Sequence, residues 1–194
     1  MDQARKELIE LKGVAYPEID LAHIFNQLYV DARPQSSNSN QLDDWGNLIA
    51  MVFRVLSRKY LTAYPHTKEV LAFLKEQDCR LYLLSNAQAA FTNAEIDLMA
   101  LRPYFDAIYL SSDVGICKPQ PEFLKQVLDD HRLKPSETVM VGNDLTTDIA
   151  VAEAVGIDGI LLNTFPYSRR ELENSPIKPD RVITDIESLK PEFT

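Results

Sequence analysis

The chain has 194 residues, enough for one domain with a small appendage, and its 45% hydrophobic and 25% charged residues exclude disorder throughout. A formal net charge of −9 repels phosphate backbones and anionic lipids, so we expect neither nucleic acid nor a membrane as a partner. The sequence has two cysteines, no signal-peptide pattern and no apolar run near the roughly 20 residues that span a bilayer, which makes the cytoplasm the default location.

The first third of the chain predicts helices and no strand. Apolar residues recur at helical spacing over residues 8–11 and 21–29. The polar stretch 31–40 predicts a loop, and residues 42–60 predict a further helix with an apolar face. We therefore expect a small helical subdomain over residues 1–62.

From residue 63 to the end, predicted helices alternate with short apolar runs. The helices are expected at 67–77, 88–100, 122–131 and 146–155, and the strands at 81–84, 107–110, 139–141, 160–162 and 181–184. Nearly continuous apolar runs are typical of strands buried on both faces of a parallel sheet. The alternation predicts a doubly wound α/β fold over residues 63–194.

Ligands of an open parallel sheet bind beyond the carboxyl ends of its strands, so the residues after each run are candidate site residues. Ser85 and Asn86 follow the first strand. A hydroxyl and the amides of a strand-to-helix turn suit a bound oxyanion such as phosphate. Both residue types are also common helix N-caps, and that structural role remains the alternative.

Lys118 lies in the loop after the second strand, between Cys117 and Pro119. An ammonium at the sheet edge can neutralise charge on a transferring phosphoryl group. The alternative is an ordinary solvated surface lysine.

Asn143, Asp144 and Asp148 follow the third strand, which ends at Gly142. The spacing of the two acids can bring both carboxylates to one side of the strand end, where they need a cation or a shared proton. Oxygen ligands without a nearby His or Cys set favour Mg²⁺. Alternatively, Asp144 caps the next helix and Asp148 stabilises its N-terminus.

Together and in this order, three segments resemble the motifs of the haloacid dehalogenase-like hydrolase superfamily. They are LYLLSN for the second motif, the Lys-Pro of ICKPQPEFL for the third, and VMVGNDLTTDIAVAEAVG for the fourth. The resemblance covers residues 65–194, and it implies a Rossmann-like parallel sheet with a Mg²⁺ ion.

The resemblance also implies a phosphatase that acts on a small phosphorylated metabolite through an aspartyl-phosphate. In such a phosphatase Ser85 binds the phosphoryl oxygens and Asn86 shapes their pocket. Lys118 holds the negative charges of the nucleophile and the phosphate together. Asn143, Asp144 and Asp148 form the metal site, and Asn143 stands where the family most often has Asp. The helical first third resembles the family's cap. Tyr16 and Trp45 are expected in its core, and contact with the substrate is the alternative for both.

The family's first motif is an apolar strand that ends in Asp-x-Asp and supplies the nucleophile. No Asp-x-Asp occurs before residue 65. We therefore expect the central strand to be missing and the chain alone to be inactive and poorly stable. Two further readings stay open, a non-catalytic regulatory protein of the same fold and a haloacid dehalogenase. Nothing in the sequence indicates an oligomeric state.

Overall fold

A computed structural model describes residues 6, 8–10, 13–32, 42–164 and 167–193, with the side chains of residues 42–44 and 192 left out. Its helices are α1 (Leu21–Ala32), α2 (Leu42–Ser57), α3 (Thr67–Glu76), α4 (Ala89–Leu98), α5 (Ser111–Val114), α6 (Pro121–His131), α7 (Ala150–Val155) and α8 (Arg169–Asn174). Its strands are β1 (Tyr82–Ser85), β2 (Ala107–Leu110), β3 (Val139–Gly142), β4 (Asp158–Leu162) and β5 (Arg181–Ile183). Of the helices in these described ranges, none is both long and apolar enough to cross a membrane.

All the strand pairs are parallel, and the sheet is in two parts. β1 pairs with β2, while β3, β4 and β5 form a separate three-stranded sheet in that order. Within the described residues, β1 and β3 therefore each have a strand partner on one side only, whereas β4 has partners on both sides. This division lies between the strands that carry the second and fourth motifs.

Helices cover both faces of the strands. Ile160 and Leu162 of β4 pack with α3 and the C-terminal 3₁₀ helix Ile186–Phe193, through residues such as Val70. Leu161, which points to the other face, packs against Leu145 and Ile149. A third cluster joins Leu84 of β1 to α6 and α7. Successive side chains of β4 point to opposite faces of the sheet, and both faces are covered by helices. Nearly every residue of the strand is therefore apolar.

Helices α1 and α2 pack against each other, and α2 also contacts α4. Gly46 makes the first contact possible, because a Cβ there would overlap the carbonyl oxygen of Ala22 and the side chain of Asn26. Glu95 of α4 attaches α1 and α2, called here the helical part, to the rest of the chain with its strands, called the sheet part. Its carboxylate accepts hydrogen bonds from Arg54 at 2.8 Å and Arg58 at 3.0 Å.

The α/β class, the parallel pairing and all five strands are confirmed, with boundaries within two residues of those expected. The helix expected at 42–60 ends at Ser57. The one expected at 146–155 is a π-helical turn, Leu145–Ile149, followed by α7. The helix expected around residues 8–11 lies partly outside the described residues, of which 8–10 are helical.

Two expectations were wrong. The strands are not all buried on both faces: β4 is buried over four of its five residues, while β3 is half-buried throughout. A strand with a neighbour on one side keeps more of its surface accessible. Tyr16 and Trp45 are not core residues, since 40% and 36% of their surfaces are exposed.

Candidate active site

Lys118 and Asp148 form a buried ion pair at the carboxyl ends of β1 and β3. The Lys118 ammonium donates to Oδ1 of Asp148 at 2.7 Å and to the carbonyl oxygen of Leu84 at 2.7 Å. The side chains are only 8% and 9% exposed. The solvated surface lysine is therefore the wrong alternative for Lys118, which bridges the two parts of the sheet.

The other oxygen of Asp148 holds the turn that follows β3. Oδ2 accepts the backbone N–H groups of Asn143 at 3.0 Å and Asp144 at 3.1 Å. This geometry needs a glycine at position 142, because a Cβ on Gly142 would overlap the Asp148 carboxylate. The absence of a side chain at Gly142 thus lets the Asp148 carboxylate lie against the backbone.

Asn86 fixes the loop that carries Lys118. Its Oδ1 accepts the Lys118 N–H at 2.7 Å, and its Nδ2 donates to the Lys118 carbonyl at 3.0 Å. This reciprocal pair sets the backbone from which the lysine side chain extends. Ser85 ends β1 half-buried, and its hydroxyl has no hydrogen-bond partner among the described residues.

Asp144 caps the π-helical turn, as the structural alternative proposed. Its Oδ1 accepts the N–H of Thr146 at 2.7 Å and of Thr147 at 3.1 Å, together with the Thr146 hydroxyl at 2.7 Å. Burial alone would raise the pKa of Asp144, but these hydrogen bonds outweigh it and hold the pKa below its ordinary value. Asp144 therefore stays ionised at neutral pH.

The Asn143 side chain is exposed and is directed to the loop after β4. Its Nδ2 lies 3.4 Å from the hydroxyl oxygen of Thr164. Of the three residues after β3, Asp144 and Asp148 are the two with carboxylates held by surrounding donors.

A cleft of about 520 Å³ lies beside the ion pair. The sheet side contributes Asn86, Lys118, Thr146 and Thr147, and the opposite wall is the segment from Tyr16 to Ile19. That segment is bound to the core: Pro17 forms a β-bridge with Ile116, and the Ser111 hydroxyl donates to the Glu18 carboxylate.

The sequence indicated Tyr16 as a substrate contact in the alternative reading, and the rest of this wall was not expected. Glu18 also accepts from Nε2 of Gln88 at 3.2 Å, and Gln88 lies two residues after Asn86. The Tyr-Pro turn before Glu18 was visible in the sequence, but its pairing partner is a hundred residues away. No local spacing points to a contact of that kind.

The sequence model of the family described as "Haloacid dehalogenase-like hydrolase" matches residues 3–162 of this chain. The chain belongs to this family. A glyceraldehyde 3-phosphate phosphatase of Methanothermobacter thermautotrophicus is 30% identical over 134 residues, which are 67% of this chain and 58% of the relative. A ribulose-1,5-bisphosphate 5-phosphatase of Halopiger xanaduensis is 32% identical over 103 residues, which are 53% of this chain and 43% of the relative.

The chain spans about half the length of these curated relatives. Among solved structures, a haloacid dehalogenase-like phosphatase from Thermococcus onnurineus superposes with a TM-score of 0.60 at 19% identity, over 89% of each chain. A 2-haloacid dehalogenase from Pseudomonas syringae superposes with a TM-score of 0.64 at 19% identity, over 99% of this chain and 88% of that one. Both likenesses confirm the fold.

In donor type, the residues of this haloacid dehalogenase-like site fit a hard divalent cation. Carboxylate oxygens are the ligands that Mg²⁺ prefers; Asp144 accepts hydrogen bonds from Thr146 and Thr147, and Asp148 accepts one from the Lys118 ammonium. The sequence argument that the two acids need a cation is weakened, because Asp148 already has Lys118 as its counter-ion. Within the described residues, the one group of three His, Cys, Asp or Glu with ligand atoms within 4.8 Å of each other is His66, Glu69 and Glu187, all exposed.

Proposed function

We propose that the site belongs to a Mg²⁺-dependent phosphatase for a small phosphorylated metabolite. The observation that carries the proposal is the buried Lys118 ammonium: Lys118 lines the cleft, and among the described residues Asp148 is its one carboxylate partner. Such a cation stabilises negative charge that develops on a phosphoryl group. Phosphatases among the relatives, with different small phosphorylated substrates in their names, favour the same reaction class.

Each residue at the strand ends has a role in this proposal. The Ser85 hydroxyl and the turn after β1 bind phosphoryl oxygens, and Asn86 positions both that turn and the Lys118 loop. Asp144 and Asp148, with Asn143 beside them, hold Mg²⁺, which supplies charge neutralisation at the phosphoryl group. Residues 1–62 act as a cap, whose segment from Tyr16 to Ile19 limits the size of the substrate. A protein of this kind works in the cytoplasm.

We also propose that these 194 residues alone do not hydrolyse a phosphorylated substrate. Across the whole sequence no Asp-x-Asp occurs, so the nucleophile and general acid that the family resemblance implies have no counterpart here. In this proposal the remaining site residues bind and orient the phosphoryl group.

A second candidate is a metal-independent haloacid dehalogenase. The observation in its favour is that both acids already have protein partners: Asp148 has Lys118, and Asp144 has the Thr146 and Thr147 amides. Carboxylates that have an ion-pair partner or several hydrogen-bond donors need no bound cation to be stable. The two candidates differ in whether binding of an anion depends on Mg²⁺.

The deciding experiment is calorimetric titration of the purified chain with MgCl₂, and with inorganic phosphate in the presence and absence of Mg²⁺. We expect Mg²⁺ to bind to the unaltered chain and phosphate to bind only when Mg²⁺ is present. Asp144→Asn should abolish Mg²⁺ binding, whereas the exposed Asp158→Asn should not. Absence of Mg²⁺ binding in the unaltered chain would overturn the metal-dependent proposal in favour of the dehalogenase or a regulatory protein.

Activity is tested separately with p-nitrophenyl phosphate as a generic phosphomonoester. We expect no turnover above background with or without Mg²⁺. Mg²⁺-dependent turnover that is lost in Lys118→Met would show that the chain holds a complete site, and it would refute the inactivity.

A further inference from the structure

Helix α2 has a second apolar face that points to solvent. Six large apolar side chains on it are exposed, from 36% for Trp45 to 81% for Leu56. They are Trp45, Leu48, Met51, Val52, Val55 and Leu56. Scattered exposed apolar residues are ordinary on a soluble protein, but a contiguous set of this size on one helix marks an interaction surface.

The six residues form one stripe. At 3.6 residues per turn they fall within an arc of roughly 140° that runs along the helix. The opposite side carries Gly46 and Ala50, which are buried, and Arg54, which binds Glu95 of α4. Arg54 is the one charged residue between positions 45 and 57. The helix is therefore docked on the molecule through one side, where Phe53 contacts Phe25 and is still 54% exposed, and carries an uncharged apolar stripe on the other.

This stripe is separate from the candidate active site. The cleft beside Lys118 is lined by the Tyr16–Ile19 segment and by loops of the sheet part, and none of the six residues lies in it. The exposed stripe is accordingly not explained by substrate binding. An inference from it goes beyond the proposed function and does not rest on it.

We propose that the stripe is the contact of a symmetric dimer, in which α2 of one copy packs antiparallel against α2 of a second copy. An isologous contact places the same patch on both partners, and a stripe without charges is complementary to itself. Antiparallel pairing also brings the acidic positions 43 and 44 of one helix beside the basic Lys59 that follows the other. For a chain with net charge −9, an uncharged contact with opposite charges at its ends is the one that limits repulsion.

The area agrees with a second copy as the partner. At roughly 200 Å² for a fully exposed large apolar residue, the six exposed fractions give on the order of 600 Å² on each copy. Two copies then bury about 1,200 Å², which is the lower end of the range for stable protein interfaces. Helix α2, with 16 residues, is about 24 Å long, enough for a continuous contact of this area.

The first experiment is light scattering coupled to size exclusion, on the full chain at two concentrations. We expect a mass near twice the 22.0 kDa of one chain. Leu48→Glu and Leu56→Glu should each give the single-chain mass, because they bury a charge in the contact. Asn47→Glu, on the same helix but beside the stripe, is the matched control and should leave the dimer intact. Circular dichroism of every variant checks that the helical content is unchanged.

The second experiment tests the antiparallel geometry. Val52 lies near the middle of the stripe, so in the proposed dimer it faces its own copy. Val52→Cys should form an inter-chain disulfide under mild oxidation, and Asn47→Cys should not. A single-chain mass for the unaltered protein, a dimer that persists in both glutamate variants, or equal cross-linking of the two cysteine variants would each overturn the proposal.

Discussion

The Lys118 ammonium lies 2.7 Å from Oδ1 of Asp148, with both side chains more than nine-tenths buried, at the point where the sheet divides. The same ammonium donates to the Leu84 carbonyl of β1, while Asp148 accepts two backbone N–H groups from the turn after β3. One ion pair thus connects two strands that are not paired with each other. Its function in a phosphate site and its contribution to the fold depend on the same contacts.

Replacing Lys118 by Met should strongly destabilise the protein. The Asp148 carboxylate would stay buried without its counter-ion, and breaking such a pair from one side typically costs about 3–5 kcal/mol. The free energy of unfolding, measured by urea denaturation at pH 7, should fall by that order. Lys134→Met is the matched control, because Lys134 forms an ion pair of equal length with Glu137 on the exposed surface. Equal effects of the two substitutions would contradict a special role for the buried pair.

Gly142→Ala should displace Asp148. The new methyl group would overlap the carboxylate, which cannot move without giving up either Lys118 or the Asn143 and Asp144 amides. We expect a loss of about 1–3 kcal/mol in the free energy of unfolding, as for other overpacked positions. Gly159→Ala, whose new Cβ meets its neighbours at 3.4 Å, should cost clearly less. A Gly142→Ala variant as stable as Gly159→Ala would show that the turn tolerates the shift.

The fold was largely predictable because its strands and helices have strong local patterns. Apolar runs and helical periodicity located all five strands and the main helices. The division of the sheet and the half-burial of β3 were not predictable, since both depend on which strands become neighbours. The short helix α8 was not among the expected helices, because the six residues between Ser168 and Ser175 carry no apolar periodicity.

Candidate site residues were predictable from their places after the strands, but their partners were not. Position alone indicated Lys118, Asp144 and Asp148. It could not show that Lys118 pairs with Asp148, because the two are 30 residues apart and meet only through the sheet. Nor could it show that Asp144 caps the following turn, since capping and metal binding use the same side chain at the same place.

Asp144 should make stability depend on pH in the acid range. Its hydrogen bonds from Thr146 and Thr147 outweigh burial and lower its pKa in the folded state below the ordinary value of 3.8. The stabilisation is therefore present above that value and is lost as the pH falls through the lower folded pKa. Unfolding free energies of the unaltered chain and of Asp144→Asn should differ by about 1 kcal/mol at pH 7 and converge at more acidic pH. A difference that stays constant with pH would contradict this assignment.

Glu95→Gln should loosen the attachment of the helical part. The Glu95 carboxylate is 9% exposed and holds both Arg54 and Arg58, so a neutral amide leaves two guanidinium groups without an anion. Because Arg54 is 39% exposed, water compensates part of the loss, and we expect about 2 kcal/mol less stability at pH 7. Burial on its own would raise the pKa of Glu95, but the two arginines lower it below 4.5, so the effect of Glu95→Gln on stability should fade as the pH drops below that value.

In the Glu95→Gln variant, hydrogen exchange should speed up in α1 and α2 and stay unchanged in β4, which has strands on both sides. Asp97→Asn removes an exposed ion pair with Arg102 from the same helix and should leave both regions unchanged. Faster exchange in β4 together with α1 and α2 in the Glu95→Gln variant would instead mean that the helical and sheet parts unfold as one unit.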